Sequence, residues 1–215
     1  RVVAEMFPKL GAPDFSTEIS RLQALRPDVV LNTAWGGDLD TFVRQAGQRG
    51  LFRGNTTFVM PLLESSLERL GAAVPAGIIA GGRGDHYWAH PETRDDPKHK
   101  DFVARFKART GAYPIYPVYH MVQAIDGLVA GHQAAAKANK GNWPSIEQVA
   151  DAMHSVEFRG LTNTVKMRED GQGLEDQLLG ITKKTPDYKF PVLEKIAVYP
   201  AEMITTPVGQ KSPEW

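Results

Sequence analysis

Apolar positions in the first half of the chain alternate between two spacings. Residues 2–7 form a short apolar run that reads as a strand. Asp14 or Ser16 then opens a helix in which Phe15, Ile19, Leu22 and Leu25 recur at helical spacing, and Pro27 stops it. Residues 28–34 are a β-branched and aliphatic run, the pattern of a strand covered on both faces. A turn at Gly36, Gly37 and Asp38 leads to a helix carrying Leu39, Phe42, Val43 and Ala46, ended by Gly50. Residues 56–60 predict another strand, 62–70 a short helix and 76–82 a further apolar strand. Strand–helix–strand units joined by short links predict a doubly wound parallel α/β sheet.

The pattern then changes. Residues 86–99 are polar and charged with two prolines and read as a connector. Helices are expected at 98–110, 116–139 and 145–155, with no strand between them. Beyond Val156 the spacing returns to β, at 164–167, 177–183 and 190–199, with a turn at Glu169, Asp170 and Gly171. Passage from alternating units to a helical cluster predicts a second lobe.

Composition narrows the function. Lys plus Arg (25) equals Asp plus Glu (25), so no positive field favours nucleic acid or an anionic membrane. Cysteine is absent, which removes disulfides, thiolate catalysis and zinc–thiolate sites. No apolar run approaches the roughly 20 residues that span a bilayer, and no signal peptide precedes the opening strand. The expectation is that an upstream part of the parent protein is missing from this chain.

His86, His90 and His99 lie in an Asp-rich segment, and His86 and His90 stand four apart. Pro91 and Pro97 interrupt any long helix there, and no glutamate follows His86 as in a zinc protease, so these read as surface histidines of a hinge loop and no metal is expected. The glycine-rich turns at Gly36-Gly37 and Gly81 to Gly84 match neither dinucleotide nor P-loop fingerprints. Ser65, Ser66 and the six histidines offer no nucleophile-elbow pattern. Nothing supports an enzyme or a cofactor.

Aromatic placement is more informative. Trp35 follows the strand at 28–34, Tyr87 and Trp88 follow the strand at 76–82, and Tyr116 and Tyr119 begin the long helix. In parallel α/β sheets, ligands bind beyond the carboxyl ends of strands. Rings placed there can wall a pocket while backbone N–H groups at a helix start hold a carboxylate. The alternative is that the rings fill core or seal loops.

Several stretches together resemble the type I periplasmic solute-binding proteins of ABC importers, the branched-chain amino-acid-binding class. Asp14-Phe15-Ser16 through Ile19 and Leu22 to Pro27-Asp28-Val29-Val30 resembles one family unit, and Arg44-Gln45-Ala46 with Gly50-Leu51 another. Pro91, Phe102, Phe106, Gly111, Pro114 and Tyr119, and then Phe158, Gly160, Val165 and Asp170, resemble two later passages. The resemblance implies two lobes that close on a small solute by hinge motion and present it to a membrane permease. It implies that residues 1–84 belong to the second lobe, 85–168 return to the first, and 169–215 cross back, with hinges near 83–88 and 168–178. It implies a periplasmic location, and an upstream fragment of the same protein as a partner.

One departure bears on the ligand. Amino-acid binders of this class carry a Gly-Pro-Glu-Gly pattern whose glutamate pairs with the ligand's ammonium. Here the stretch reads Met60-Pro61-Leu62-Leu63, with Leu62 in the place of that acid and Glu64 two residues on. The loop after the preceding strand reads Ala34-Trp35-Gly36-Gly37-Asp38 rather than tyrosine-rich. Burying an ammonium without a counter-charge costs several kcal/mol. The expected ligand is therefore an aromatic or aliphatic carboxylate lacking an α-amino group, bound by Trp35, Gly36, Leu62, Tyr87 and Tyr116. A branched-chain amino-acid binder, or a cytosolic ligand-sensing regulator of the same fold, is the alternative.

Overall fold

The computed structural model describes residues 1–211 as two compact units. The first comprises Arg1–Arg83 and Leu179–Ala197, and the second comprises Gly84–Leu178 with the described residues from Val198 onward.

In the first unit, helix α1 (Ser16–Leu25) precedes strand β1 (Val29–Leu31), helix α2 (Gly36–Gln48), strand β2 (Thr57–Met60), the short helix α3 (Leu67–Leu70) and strand β3 (Ile79–Gly81). Strands β1, β2 and β3 pair in parallel, with Val30 opposite Phe58 and Val59 opposite Ile79. This is the α/β architecture the alternating pattern predicts. Helix α2 buries Leu39, Phe42, Val43 and Ala46, a stripe at three- and four-residue spacing. Phe42 meets Phe15 edge-on at 6.0 Å. Arg26, in the left-handed region at φ 45°, ends α1 before Pro27.

Two features of the first unit depart from the sequence reading. Residues 2–7 carry no strand, and Val2, Val3 and Phe7 are exposed, because no neighbouring strand among the described residues satisfies their backbone groups. The sheet is also mixed. Strand β7 (Gln177–Lys183) pairs antiparallel with β3, Ala80 opposite Gly180, and the order runs β1-β2-β3-β7-β8, with β8 at Val192–Tyr199. Chain direction is invisible to an apolar pattern, so the reversal is not legible from periodicity.

The second unit holds helices α4 (Pro97–Thr110), α5 (Tyr116–Ala138) and α6 (Ile146–Met153), close to the expected spans. Asp96 caps α4 by accepting from the Lys98 and His99 amides, and Ser145 with Gln148 forms a capping box on α6. Gly127 and Gly131 let α5 approach its neighbours, since a Cβ at Gly127 would stand 3.0 Å from the Phe158 ring. Strands β4 (Glu157–Arg159), β5 (Thr164–Met167) and β6 (Gly173–Leu174) form a small antiparallel sheet, and α7 (Ala201–Ile204) follows β8.

Within the expected crossing-back and tail segment 169–215, Leu179–Ala197 belongs to the first unit, and the described residues on either side of it belong to the second. Asp170 stays with the second unit through its pairing with Arg168, whose guanidinium also donates to the Thr206 carbonyl at 2.8 Å. No helix among the described residues is long and apolar enough to cross a membrane.

Candidate functional site

In the first unit, the loops leaving β1 and β2 emerge at the same end of two parallel neighbours. The Asn32 side chain accepts from the Ala34 amide at 2.8 Å and turns the chain out of β1. Trp35 follows in extended conformation as the N-cap of α2, 61% exposed, and no side chain caps that helix. Gly36 begins the helix at φ 59°, a left-handed conformation that glycine adopts without strain. Leu62, half-buried, lies two residues beyond β2. An indole, an apolar side chain and backbone N–H groups at a helix start are thus placed at one sheet end, a combination suited to an apolar carboxylate. Glu64 is buried in the turn after Leu62. A cavity of about 380 Å³ also lies in this unit, lined by Leu22, Asp28, Leu51 and Thr56, but at the opposite, amino-terminal end of β1 and β2.

In the second unit, a polar cluster gathers after Gly84. Gly84 stands at φ 83°, and its carbonyl accepts from the Leu178 amide at 3.0 Å. His86 is 1% exposed, with Nδ1 2.6 Å from Thr162 Oγ1, Nε2 against Glu175 Oε1, and its ring stacked on Tyr119 at 5.1 Å. Glu175 Oε2 lies 3.3 Å from His120 Nε2. The Gln123 amide donates to Glu175 Oε1 and to Asn163 Oδ1, each at 3.2 Å, and Asn163 donates to Asp85 at 2.9 Å.

The two carboxylates of this cluster are driven apart. Burial raises Asp85 to about 6, with nearby Glu175 and Asp176 adding to the rise against the pull of His86. Burial also acts to raise Glu175, but the imidazoles of His120 and His86 that face it outweigh burial and hold the group at about 2.

Of the expected site residues, Trp35, Gly36 and Leu62 share one sheet end. Tyr116 sits at the first turn of α5, half-buried and edge-on to His120 at 5.5 Å, beside the polar cluster. Tyr87 is 1% exposed, with its ring 5.6 Å from Trp88, in the manner of a core side chain. The reading of His86, His90 and His99 as surface histidines is corrected, because all three are buried. Prolines do prevent a long helix there, but the segment folds inward and not outward. His120 and Glu175 were missed. The available signal was the i, i+4 pairing of Tyr116 with His120 on a helix start.

His99 is fully buried, with Nδ1 3.0 Å from the Thr93 carbonyl and Nε2 2.7 Å from the Tyr119 hydroxyl. A neutral ring satisfies both contacts, donating from Nδ1 and accepting at Nε2. Burial lowers its pKa, with His86 adding to the shift against the Thr93 carbonyl and Asp96. Burial likewise lowers His90, against Glu92. A lowered folded-state value means that the unfolded chain binds the proton more readily. The stabilisation is complete above the ordinary value of 6.5 and is lost as pH falls through the folded-state value. Between pH 7.5 and 5.5 His99 contributes a loss of stability at the acid end, against an opposite contribution from Asp85. When the two proteins are compared by denaturant unfolding, His99→Gln should make the acid end less destabilised relative to the unmodified protein. An unchanged slope in the variant would assign the effect elsewhere.

The family model described as periplasmic binding protein matches residues 1–180. The chain belongs to the periplasmic binding protein family. Among solved structures, it is similar to a leucine-binding protein, LivK, from Thermotoga maritima MSB8, with 22% identity and a TM-score of 0.69 over 93% of this chain and 52% of that one. A solute-binding protein of an ABC transporter from R. palustris, in complex with benzoate, aligns with 18% identity and a TM-score of 0.70 over 93% and 51% of the two chains. An ABC-type branched-chain amino acid transporter protein from Rhodopseudomonas palustris CGA009 aligns with 20% identity and a TM-score of 0.63 over 94% and 52%. No curated protein sequence matches significantly. This periplasmic binding protein chain spans about half the length of the solved structures it matches. Its family and these neighbours are binding proteins and not enzymes.

Proposed function

We propose that the protein containing this chain is the substrate-binding component of an ABC importer, and that it captures an aromatic or aliphatic carboxylate lacking an α-amino group. The observation that carries the reading is the exposed Trp35 indole at the uncapped start of α2, with Leu62 at the end of the adjacent parallel strand. The indole offers a stacking face, the amides of the first helical turn a carboxylate site, and Leu62 an apolar wall with no counter-charge for an ammonium. Solute binding would shift an open–closed equilibrium through contacts made better in the closed form, and that form would meet a permease in the periplasm. Gly36 belongs to the same surface of the first unit. The benzoate complex of a similar fold supports an aromatic acid. The leucine-binding neighbour and the buried Glu64 favour the second reading, a branched-chain amino acid.

Calorimetric titration of the full-length protein against benzoate, a cinnamate and leucine separates the two. Micromolar binding of the aromatic acids without leucine binding is expected, and the reverse would sink the first reading. Trp35→Ala should weaken acid binding about tenfold or more while changing unfolding stability by no more than about 0.5 kcal/mol. A large stability loss with intact affinity would make the indole a packing residue.

A further inference from the structure

The polar cluster of the second unit has a donor set and a geometry that the solute-binding reading does not use. Ligand atoms of His86, His120 and Glu175 all lie within 4.8 Å of one another. Glu175 turns one oxygen to each imidazole, Oε1 to His86 and Oε2 to His120. Neither Nε2 makes a hydrogen bond of acceptable direction despite those close oxygens, and both atoms are shielded from solvent. An imidazole nitrogen buried in this way is costly unless its lone pair meets an electron acceptor.

The rings are also held for that role. His86 Nδ1 is engaged by Thr162 at 2.6 Å, and with its proton there, Nε2 presents its lone pair toward Glu175. Tyr119 stacks on His86 within 3° of parallel, and Tyr116 braces His120 edge-on. The 3.3 Å between His120 Nε2 and Glu175 Oε2 matches the edge of a tetrahedron whose ligands stand about 2.0–2.1 Å from a central zinc ion. The side chains of His120 and Glu175 remain 34% and 21% exposed, which leaves an entry path and room for a solvent ligand.

We infer that His86, His120 and Glu175 form a binding site for a divalent transition ion of the zinc class. Two imidazoles and one carboxylate suit zinc or cobalt and not the all-oxygen shells of calcium or magnesium. The ion would tie the segment after Gly84 to the first turns of α5 and to the residue following β6, all within one unit. Gln123, donating to Glu175, would act as an outer-shell orienting group.

The test uses the full-length protein, stripped with EDTA and titrated with Zn²⁺ by calorimetry and with Co²⁺ by visible absorption. One equivalent bound at micromolar affinity or better, with a cobalt d–d band of nitrogen and oxygen ligation, is expected. Glu175→Gln and His120→Ala should each weaken uptake at least tenfold, while His154→Ala, at an exposed histidine of the same unit, should leave it unchanged. Absence of stoichiometric binding to the unmodified protein would overturn the inference without recourse to any variant. So would equal affinity in the two ligand variants, or an equal loss in the His154 control. Benzoate titration of the stripped protein stands apart, so failure of either reading is recognised separately.

Discussion

Phe42→Ala is expected to cost about 3–5 kcal/mol of unfolding free energy, the range for truncating a buried aromatic side chain. Phe42 is buried on the inner face of α2, with Leu39, Val43 and Ala46 along the same stripe and the Phe15 ring edge-on. Alanine would leave a cavity whose walls, set by α1 and α2, collapse only in part. The consequence would reach the proposed solute surface because Trp35 is the N-cap of α2, so loosening the helix displaces the indole as well. Urea unfolding measures the loss, and the contrast with Trp35→Ala is diagnostic. One substitution should remove stability, and the other affinity. A cost below about 1 kcal/mol for Phe42→Ala would mean that α2 is not anchored by this face.

Gly84→Ala is the second large effect. At φ 83°, an L side chain is strained in any surroundings, at about 1–2 kcal/mol. Here the added Cβ would also stand 2.6 Å from Glu175 Cδ, far inside van der Waals contact. Glu175 must move, which breaks its approach to His86 and the donation from Gln123. A total loss of about 2–4 kcal/mol is expected, strain and lost polar contacts together. Gly77 provides the control, because it has φ 89° with nothing within 4 Å of its Cβ position. Gly77→Ala should cost only the backbone strain. Equal losses at the two positions would show that the carboxylate yields without penalty.

Much of the fold was legible because hydrophobic spacing reports burial directly. The stripes of α2 and α5 and the spans of β5 and β7 follow from periods of 3.6 and 2. Strand β4, only three residues long with alternate exposure, carries too little pattern to be seen. The direction of β7 depends on what it pairs with and not on its composition. The candidate site divides in the same way. The positions of Trp35 and Leu62 just beyond β1 and β2 were legible because the carboxyl end of a parallel strand can be located from sequence. The histidine–glutamate cluster was not, because its members lie at residues 86, 120 and 175, on a loop, a helix and a strand exit that only the tertiary fold assembles. Polar residues in a proline-rich segment imply solvent when read alone. His86, His90 and His99 are buried because each finds partners from distant parts of the chain or from a turn of its own.

The discontinuous make-up of the first unit has a bearing on biosynthesis. Its sheet lacks β7 and β8 until the ribosome has passed through the whole of Gly84–Leu178. At bacterial to eukaryotic elongation rates that is a wait of roughly 5–20 s, during which the outer edge of β3 offers unpaired amides and carbonyls to any neighbouring nascent chain. A premature stop after Leu178 would make that temporary edge permanent, yielding insoluble product where the complete polypeptide stays dispersed.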